Sequence, residues 1–497
     1  KGAKTSQKEK FVSVIRNCLQ DIVRNGIDKK AILAGINYME FRYREADFGQ
    51  FPKGLMYGLD IMGSWLYDDE NAFSQVQLLS IYDRLKEAVN EGYFEKLIQK
   101  WLLDNTHGLI LTLVPKRGLA AQREKELADK LEAYRSSLSD GQLEEMVEKT
   151  KALEAYQESE ERPEDLQCIP MLKRSDIRKE VNGFSNEELQ VDNSLFLYQD
   201  VCTNGIGYVN VMFEIKDMAV EKVHYLGLLK SVLGYVDTEN YTYGQLFNET
   251  NARTGGIQCG VDVFDKADDP EAFRAMFTIR GKALYPQMDF LFQMMEEILN
   301  TSKITDTKRL YEIIAEIKSR GQASLIGSGH QTAVLRGASY GSSMARFQDE
   351  MAGVGYYKFI EDLEKNFQDK KAEIVAGLEN AMAEIIRRDS FMVSYTGERE
   401  SVEQLKALSG SLKKSLKESS CQVPEVAITC EKKNEGFKTS GQVQYVARTG
   451  NFVKKGFTYT GALEILKVAL SYDYLWINLR VKGGAYGCMS GFKRSGE

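Results

Sequence analysis

Residues 461–487 read Gly461-Ala462-Leu463-Glu464-Ile465-Leu466-Lys467-Val468-Ala469-Leu470-Ser471-Tyr472-Asp473-Tyr474-Leu475-Trp476-Ile477-Asn478-Leu479-Arg480-Val481-Lys482-Gly483-Gly484-Ala485-Tyr486-Gly487. Leu463, Leu466, Leu470, Tyr474 and Ile477 recur at three- and four-residue spacing, which predicts a helix over 461–479 with these side chains on one buried face. Arg480 continues that row at the helix C-terminus, where its cation opposes the negative end of the helix dipole. Gly483-Gly484 breaks the helix, and 486–492 reads as a strand. Glycine next to Tyr486 would let a ligand backbone approach its hydroxyl closely. Two readings stay open on chemistry alone. Arg480 caps a helix and Tyr486 is structural, or the pair clamps a carbonyl or oxyanion.

Outward from this segment, the pattern predicts an α+β chain in which runs of strands are followed by runs of helices. A strand over 442–448 precedes the helix. Further back lie strands at 195–199, 207–215, 256–263 and 273–280, with a helix over 223–236 between them. Helices over 285–300, 306–324 and 355–388 lead to a closing strand at 390–396 and a helix at 402–416. The first hundred residues are mainly helical, with Asp28 as an N-cap, and 108–115 reads as one buried strand closing that unit. Between them, 117–165 is highly charged with a thin apolar stripe, the pattern of a solvated helical hairpin punctuated at Ser139-Asp140-Gly141. The two closing strands each follow an amphipathic helix, and each helix series starts from an Asp-x-Lys (Asp28-Lys29-Lys30 and Asp306-Thr307-Lys308) at nearly the same offset. This points to a long-period internal duplication.

The chain has 497 residues, a prior of about three domains, and an ordinary globular balance of 43% hydrophobic and 28% charged residues. A net charge of −7 disfavours a binder of nucleic acid or of an anionic membrane, and no apolar run is long enough to span one. The three histidines, His107, His224 and His330, lie far apart, so no helix can present two of them to one metal. His107 reads as a structural residue at a strand start, and His330 as a turn or helix-entry residue. The seven cysteines form no CxxC pair and read as free thiols in a reducing compartment, with Cys488 as a small filler beside Tyr486. The absence of an initiator Met and of a closing element after Phe492 gives both ends the look of cuts.

Arg480-Val481-Lys482-Gly483-Gly484-Ala485-Tyr486-Gly487, after its amphipathic helix, resembles the C-terminal motif of pitrilysin/insulinase-type zinc metallopeptidases. A second stretch narrows the resemblance to the presequence protease/falcilysin branch: Gln157-Glu158-Ser159 to Pro163-Glu164-Asp165-Leu166-Gln167-Cys168-Ile169-Pro170-Met171-Leu172-Lys173-Arg174-Ser175-Asp176-Ile177, which is similar to that branch's linker. The resemblance covers essentially the whole chain.

Such proteins have four related α+β domains in two halves, joined by a helical linker and enclosing a peptide chamber. The resemblance implies residues 1–116 as the end of the second domain, 117–185 as the helical-hairpin linker, 186–430 as a degenerate third domain, and 431–497 as the start of the fourth. Zinc in such enzymes is held in the first domain by an inverted HxxEH motif, which this chain lacks. The resemblance makes Arg480 and Tyr486 the substrate-binding pair, with no metal ligand in this chain. His224-Tyr225-Leu226-Gly227-Leu228 falls where the third domain's relic of HxxEH should lie, with Gly227 and Leu228 replacing the base and the second His. The expected whole is a zinc endopeptidase acting on unstructured peptides, cytoplasmic or in an organelle lumen, with this fragment inactive alone. Its expected partners are those peptides, the zinc domain and the remainder of the fourth domain. The alternative is a catalytically dead family member that serves as a binding or scaffold subunit.

Overall fold

The computed structural model describes residues 4–159, 161–171, 173–180, 183, 185–215, 220–266, 269, 272–418 and 428–497; Leu172 and Cys421 lie outside them. The chain divides into two compact units, Lys1–Ile27 with Gly92–Phe184, and Asp28–Glu91 with Ser185–Glu497. In chain order the first helices are α1 (Lys8–Asn25), α2 (Lys29–Glu45), α3 (Lys53–Trp65), α4 (Leu79–Ala88) and α5 (Tyr93–Ile98). They are followed by α6 (Leu119–Ser137), α7 (Asp140–Glu158) and the short α8 (Pro163–Leu166).

In the first unit, α6 and α7 meet at Ser139, which caps α7. The Ser139 hydroxyl accepts from the Gln142 N–H, and the Gln142 side chain accepts from the Ser139 N–H at 2.9 Å. Neither helix has a buried residue, as its charged pattern dictates. The expected strand at 108–115 is not formed. The segment pairs with nothing among the described residues, and Leu109, Leu111 and Leu113 are 87%, 72% and 86% exposed. Extended backbone becomes a strand only when a neighbour supplies its ladder, and none of the described residues does so here. His107 is therefore an exposed loop residue, its backbone N–H held by the Asn105 side chain at 2.8 Å.

The second unit is built on a six-stranded sheet, in the order β1-β2-β6-β3-β5-β4. The strands are β1 (Glu187–Val191), β2 (Ser194–Asp200), β3 (Ile206–Ile215), β4 (Ile257–Asp265), β5 (Phe273–Leu284) and β6 (Phe391–Gly397). β2 and β6 run parallel, and every other pair is antiparallel. Val211 of β3 sits opposite both Ile279 of β5 and Val393 of β6, which sets the centre of the core.

Residues at every second position, Val209, Val211 and Phe213, Phe277 and Ile279, Phe391, Val393 and Tyr395, form one buried face. Against it packs α11 (Met288–Thr301). Gly281 lets the helix pack close, for a Cβ there would lie 2.6 and 2.7 Å from the side-chain ends of Leu291 and Met295, which would have to shift. The core also takes in α9 (Val220–Val232), α10 (Tyr243–Arg253), α12 (Thr307–Gly327), α14 (Ser343–Ala352), α15 (Val354–Lys365), α16 (Phe367–Ile385) and α17 (Val402–Ser415). Asp306 caps α12 by accepting from the N–H groups of Lys308 and Arg309, as Asp28 caps α2 through Lys30 and Ala31. On the other sheet face, Glu45 of α2 accepts from Lys282 at 2.7 Å and from the Tyr208 hydroxyl at 2.9 Å.

The helix expected over 355–388 is two helices, divided at Asn366, whose backbone leaves helical geometry at φ −107° and ψ 23°. The sequence reading missed β1, α10, α13 (Gly329–Ala338) and α14; Gly and Ser flank the last two and hide their periodicity. The strands expected at 442–448 and 486–492 also have no ladder among the described residues. Residues 435–449 instead run as an extended strap against α12 and α13. Tyr445 lies over Gly329, and its hydroxyl donates to the Ile326 carbonyl at 3.2 Å.

Candidate functional site

The helix expected over 461–479 exists as α18 (Ala462–Ala469) running on into a π-helical stretch, Leu470–Val481. Its apolar row is not buried as expected. Leu466, Tyr474 and Ile477 are 48%, 62% and 39% exposed, since a hydrophobic stripe is buried only where a second surface meets it. The chain does fold back on part of the helix, where the Ser490 hydroxyl lies 2.8 Å from that of Ser471.

Arg480 is the last residue but one of this stretch. The Gly484 N–H donates to the Arg480 carbonyl at 3.0 Å, and the Ala485 N–H donates to the Leu479 carbonyl at 2.9 Å. This nested pair closes over Gly484, which takes φ +71°, the left-handed conformation that favours glycine at a helix end. Gly483 is equally constrained, for a Cβ there would lie 2.7 Å from the Leu479 carbonyl oxygen.

The turn brings the two candidate residues together. Arg480 Nη1 donates to the Tyr486 carbonyl oxygen at 2.6 Å, and its guanidinium lies 4.2 Å from the centre of the Trp476 ring. Stacking and the hydrogen bond fix the cation in place. The Tyr486 side chain is 89% exposed, with its hydroxyl bonded to no described residue. A phenol and a guanidinium on one capped turn can donate hydrogen bonds to a carbonyl or carboxylate brought to them. Cys488 is a half-buried free thiol nearby in sequence.

His224 lies on α9 in a packed setting. Its Nε2 is 2.5 Å from Glu350 Oε2, and its ring stacks on Phe359 at 4.7 Å. The other oxygen of Glu350 pairs with Arg346 at 2.5 Å. One turn on, Gly227 has no room for a side chain, since a Cβ would lie 2.4 Å from the Met351 carbonyl oxygen. His330 is the second residue of α13, at a helix entry as expected, with its ring 6.1 Å from that of Tyr445. Among the described residues no three His, Cys, Asp or Glu side chains converge as a metal-binding group. These residues therefore do not fit a zinc site.

Sequence reasoning missed the other charged cluster of this unit. Buried Arg336 donates to Asp349 at 2.6 Å and, with both Nε and Nη2, to Glu435 at 2.8 and 3.1 Å. The Tyr340 hydroxyl donates to the same carboxylate at 2.7 Å. These bonds hold Glu435 well below the usual carboxylate range, at a pKa of about 2, the hydrogen bond from Arg336 being the largest cause. The cluster ties the 435–449 strap to α13 and α14. The only hint in the sequence is the adjacent acid pair Asp349-Glu350.

Comparison with known proteins follows the same lines. The family model for the associated domain of peptidase M16, subfamily C, matches residues 113–363, and that described as PreP C-terminal domain matches residues 434–497. Protein HypA of Clostridium perfringens is 36% identical over 496 residues, covering 100% of this chain and 51% of the relative. Presequence protease 1, chloroplastic/mitochondrial, of Arabidopsis thaliana is 27% identical over 499 residues, covering 98% of this chain and 45% of the relative. The chain thus spans about half the length of these curated relatives. A crystal structure from Pseudomonas fluorescens described as a peptidase M16 inactive domain matches 48% of this chain and 53% of that one, at 10% identity and a TM-score of 0.33. No helix among the described residues is long and apolar enough to cross a membrane. The chain belongs to the pitrilysin/insulinase-type M16 peptidase family, in its presequence protease-like branch.

Proposed function

We propose that this chain is part of a zinc-dependent endopeptidase that encloses and hydrolyses unstructured peptides, and that Arg480 and Tyr486 are its contribution to substrate binding. One observation carries the assignment: a nearly fully exposed tyrosine lies beside an arginine that donates to its carbonyl, on a turn closed by two backbone hydrogen bonds. In this reading Arg480 orients the peptide backbone, and the Tyr486 hydroxyl donates to the scissile carbonyl oxygen as it gains charge. The residues described here do not hold the metal, and no step through it is assigned to them. The zinc ligands are proposed to belong to the half of the relatives' length that this chain does not span, and the compartment to be the cytoplasm or an organelle lumen. The proposed divisions are 1–116, 117–185, 186–430 and 431–497.

The test is made in the full-length protein with a quenched fluorescent peptide. Tyr486→Phe should lower kcat/KM about 10²-fold, the typical cost of removing one oxyanion donor. The melting temperature should hold, because the hydroxyl packs against nothing among the described residues. Unchanged turnover would remove Tyr486 from the site, and no turnover in the parent protein would favour the scaffold reading.

A further inference from the structure

The sheet has two open edges, and they are not alike. β1 is five residues long and carries two glutamates, Glu187 tied to Arg399. β4 is nine residues long, Ile257-Gln258-Cys259-Gly260-Val261-Asp262-Val263-Phe264-Asp265, and among the described residues pairs only with β5. An edge strand turns alternate N–H and C=O groups outward, and proteins usually blunt such an edge with Lys, Pro or a short strand. β4 has neither residue and is not short; of its two acids, Asp265 stands at the strand's last position and Asp262 is drawn towards β5. Its one cross-strand ion pair, Asp262 with Arg280, is made inward to β5.

Beside this edge lies a groove of about 590 Å³ between β4, the end of α9 and α12. The stretch Gln258–Asp262 that lines it spans about 16 Å, at roughly 3.3 Å per residue. Three guanidiniums line the groove, and each has a carboxylate: Arg280 has Asp262, Arg309 has Glu312, and Arg320 has Glu316. Lys230 also lines it and has none; it makes no hydrogen bond or ion pair among the described residues. Burial draws its pKa below the usual lysine range, as expected for a half-buried ammonium that lacks a counter-charge.

We propose that the β4 edge is a docking strand for an extended acidic peptide, which adds to the sheet beside Gln258–Asp262 and sets a carboxylate on Lys230 Nζ. Main-chain pairing supplies affinity, and the single uncompensated cation supplies the preference for acid. A second copy of this chain fits the edge poorly, since two-fold pairing would set the same cations against each other. The site extends the peptide-handling role proposed above. It is independent of Arg480 and Tyr486, so binding alone tests it and its failure would leave their assignment standing.

The probe is a fluorescein-labelled nonapeptide of alternating threonine and valine with one central glutamate, followed by anisotropy on this chain. Binding should saturate. Replacing the glutamate by glutamine should weaken it about tenfold, the worth of a charge-assisted hydrogen bond, and Lys230→Gln should erase that difference. N-methylation of one alternate set of peptide nitrogens should abolish binding, while methylation of the other set leaves it nearly intact, because a strand presents only every second N–H to its neighbour. This readout needs no change in the protein. Three results would overturn the proposal: no saturation up to about 1 mM peptide, equal effects of the two methylation patterns, or displacement of the probe by unlabelled chain as effective as by unlabelled peptide.

Discussion

At the residue scale, the Arg336 cluster shows what holds the C-terminal strap to the sheet unit. Arg336 and Asp349 are almost fully buried, and both are fully engaged: Asp349 also accepts from the Val354 N–H at 3.0 Å. Buried charges persist only with such company. Glu435 is the strap's half of the contact, and its proton equilibrium makes the attachment pH-dependent. Its folded pKa, about 2, lies below the ordinary value of 4.5. Between those values the free strap takes up a proton more readily than the docked one. The contribution of Glu435 is therefore complete above pH 4.5 and drains away as pH falls towards about 2. Glu435→Gln should cost about 1–3 kcal/mol at neutral pH, the price of leaving a buried cation short of a partner. Thermal unfolding of the two proteins should converge as the pH is lowered from about 5 towards about 2.5. A difference that stays constant with pH would mean that the carboxylate charge does not hold the strap.

At the element scale, the turn after Arg480 places Tyr486 through backbone geometry, so it can be tested without touching either side chain. Gly484 sits at φ +71°, where any other L-residue costs about 1–2 kcal/mol. Gly450, away from this turn, has no such constraint, and a Cβ there meets nothing within 4 Å. Gly484→Ala should therefore lower peptide turnover in the full-length protein while Gly450→Ala leaves it near the parent value. Equal losses would show that the turn does not set the tyrosine. The glycines could be read in the sequence because a turn's chemistry is local. The hydrogen bond from Arg480 to the Tyr486 carbonyl could not, because it depends on how the turn between them folds back. The same division runs through the fold. Strands β3, β5 and β6 were readable from their alternation of β-branched and aromatic residues, and Asp28 and Asp306 from capping chemistry. Segments 108–115 and 486–492 have equally good strand patterns but no ladder, because a pattern states what a strand needs and not whether a neighbour supplies it. The break at Asn366 is one residue's departure from helical backbone inside a continuous apolar periodicity, so nothing in that periodicity announced it.

At the scale of the whole molecule, stability is distributed unevenly along the chain. Val211, Phe213, Phe277 and Ile279 are completely buried and belong to one continuous core that reaches from β2 to α17. Residues 108–115 have extended backbone, exposed leucines and no ladder, and α6 and α7 beyond them bury nothing. Opening free energies range from near zero in such segments to the global value in a packed sheet, and a protease reads that difference directly. Lys116 and Arg117 are exposed at the junction between the extended segment and α6, while Arg274 and Arg280 lie in the sheet, on β5. Brief trypsin treatment should therefore cut first at Lys116 or Arg117 and within the exposed helices that follow. A second early cut should fall after Lys432 or Lys433, where the strap has left α17 and has not yet reached Arg336. Cleavage after Arg274 or Arg280 should appear only with global unfolding, at a rate that follows the unfolding transition in urea. Mass spectrometry of the first products decides the matter. Early cuts inside β5, or a protected 108–118, would mean that the apolar extended segment has found cover and that the sheet is not the stable centre of the chain.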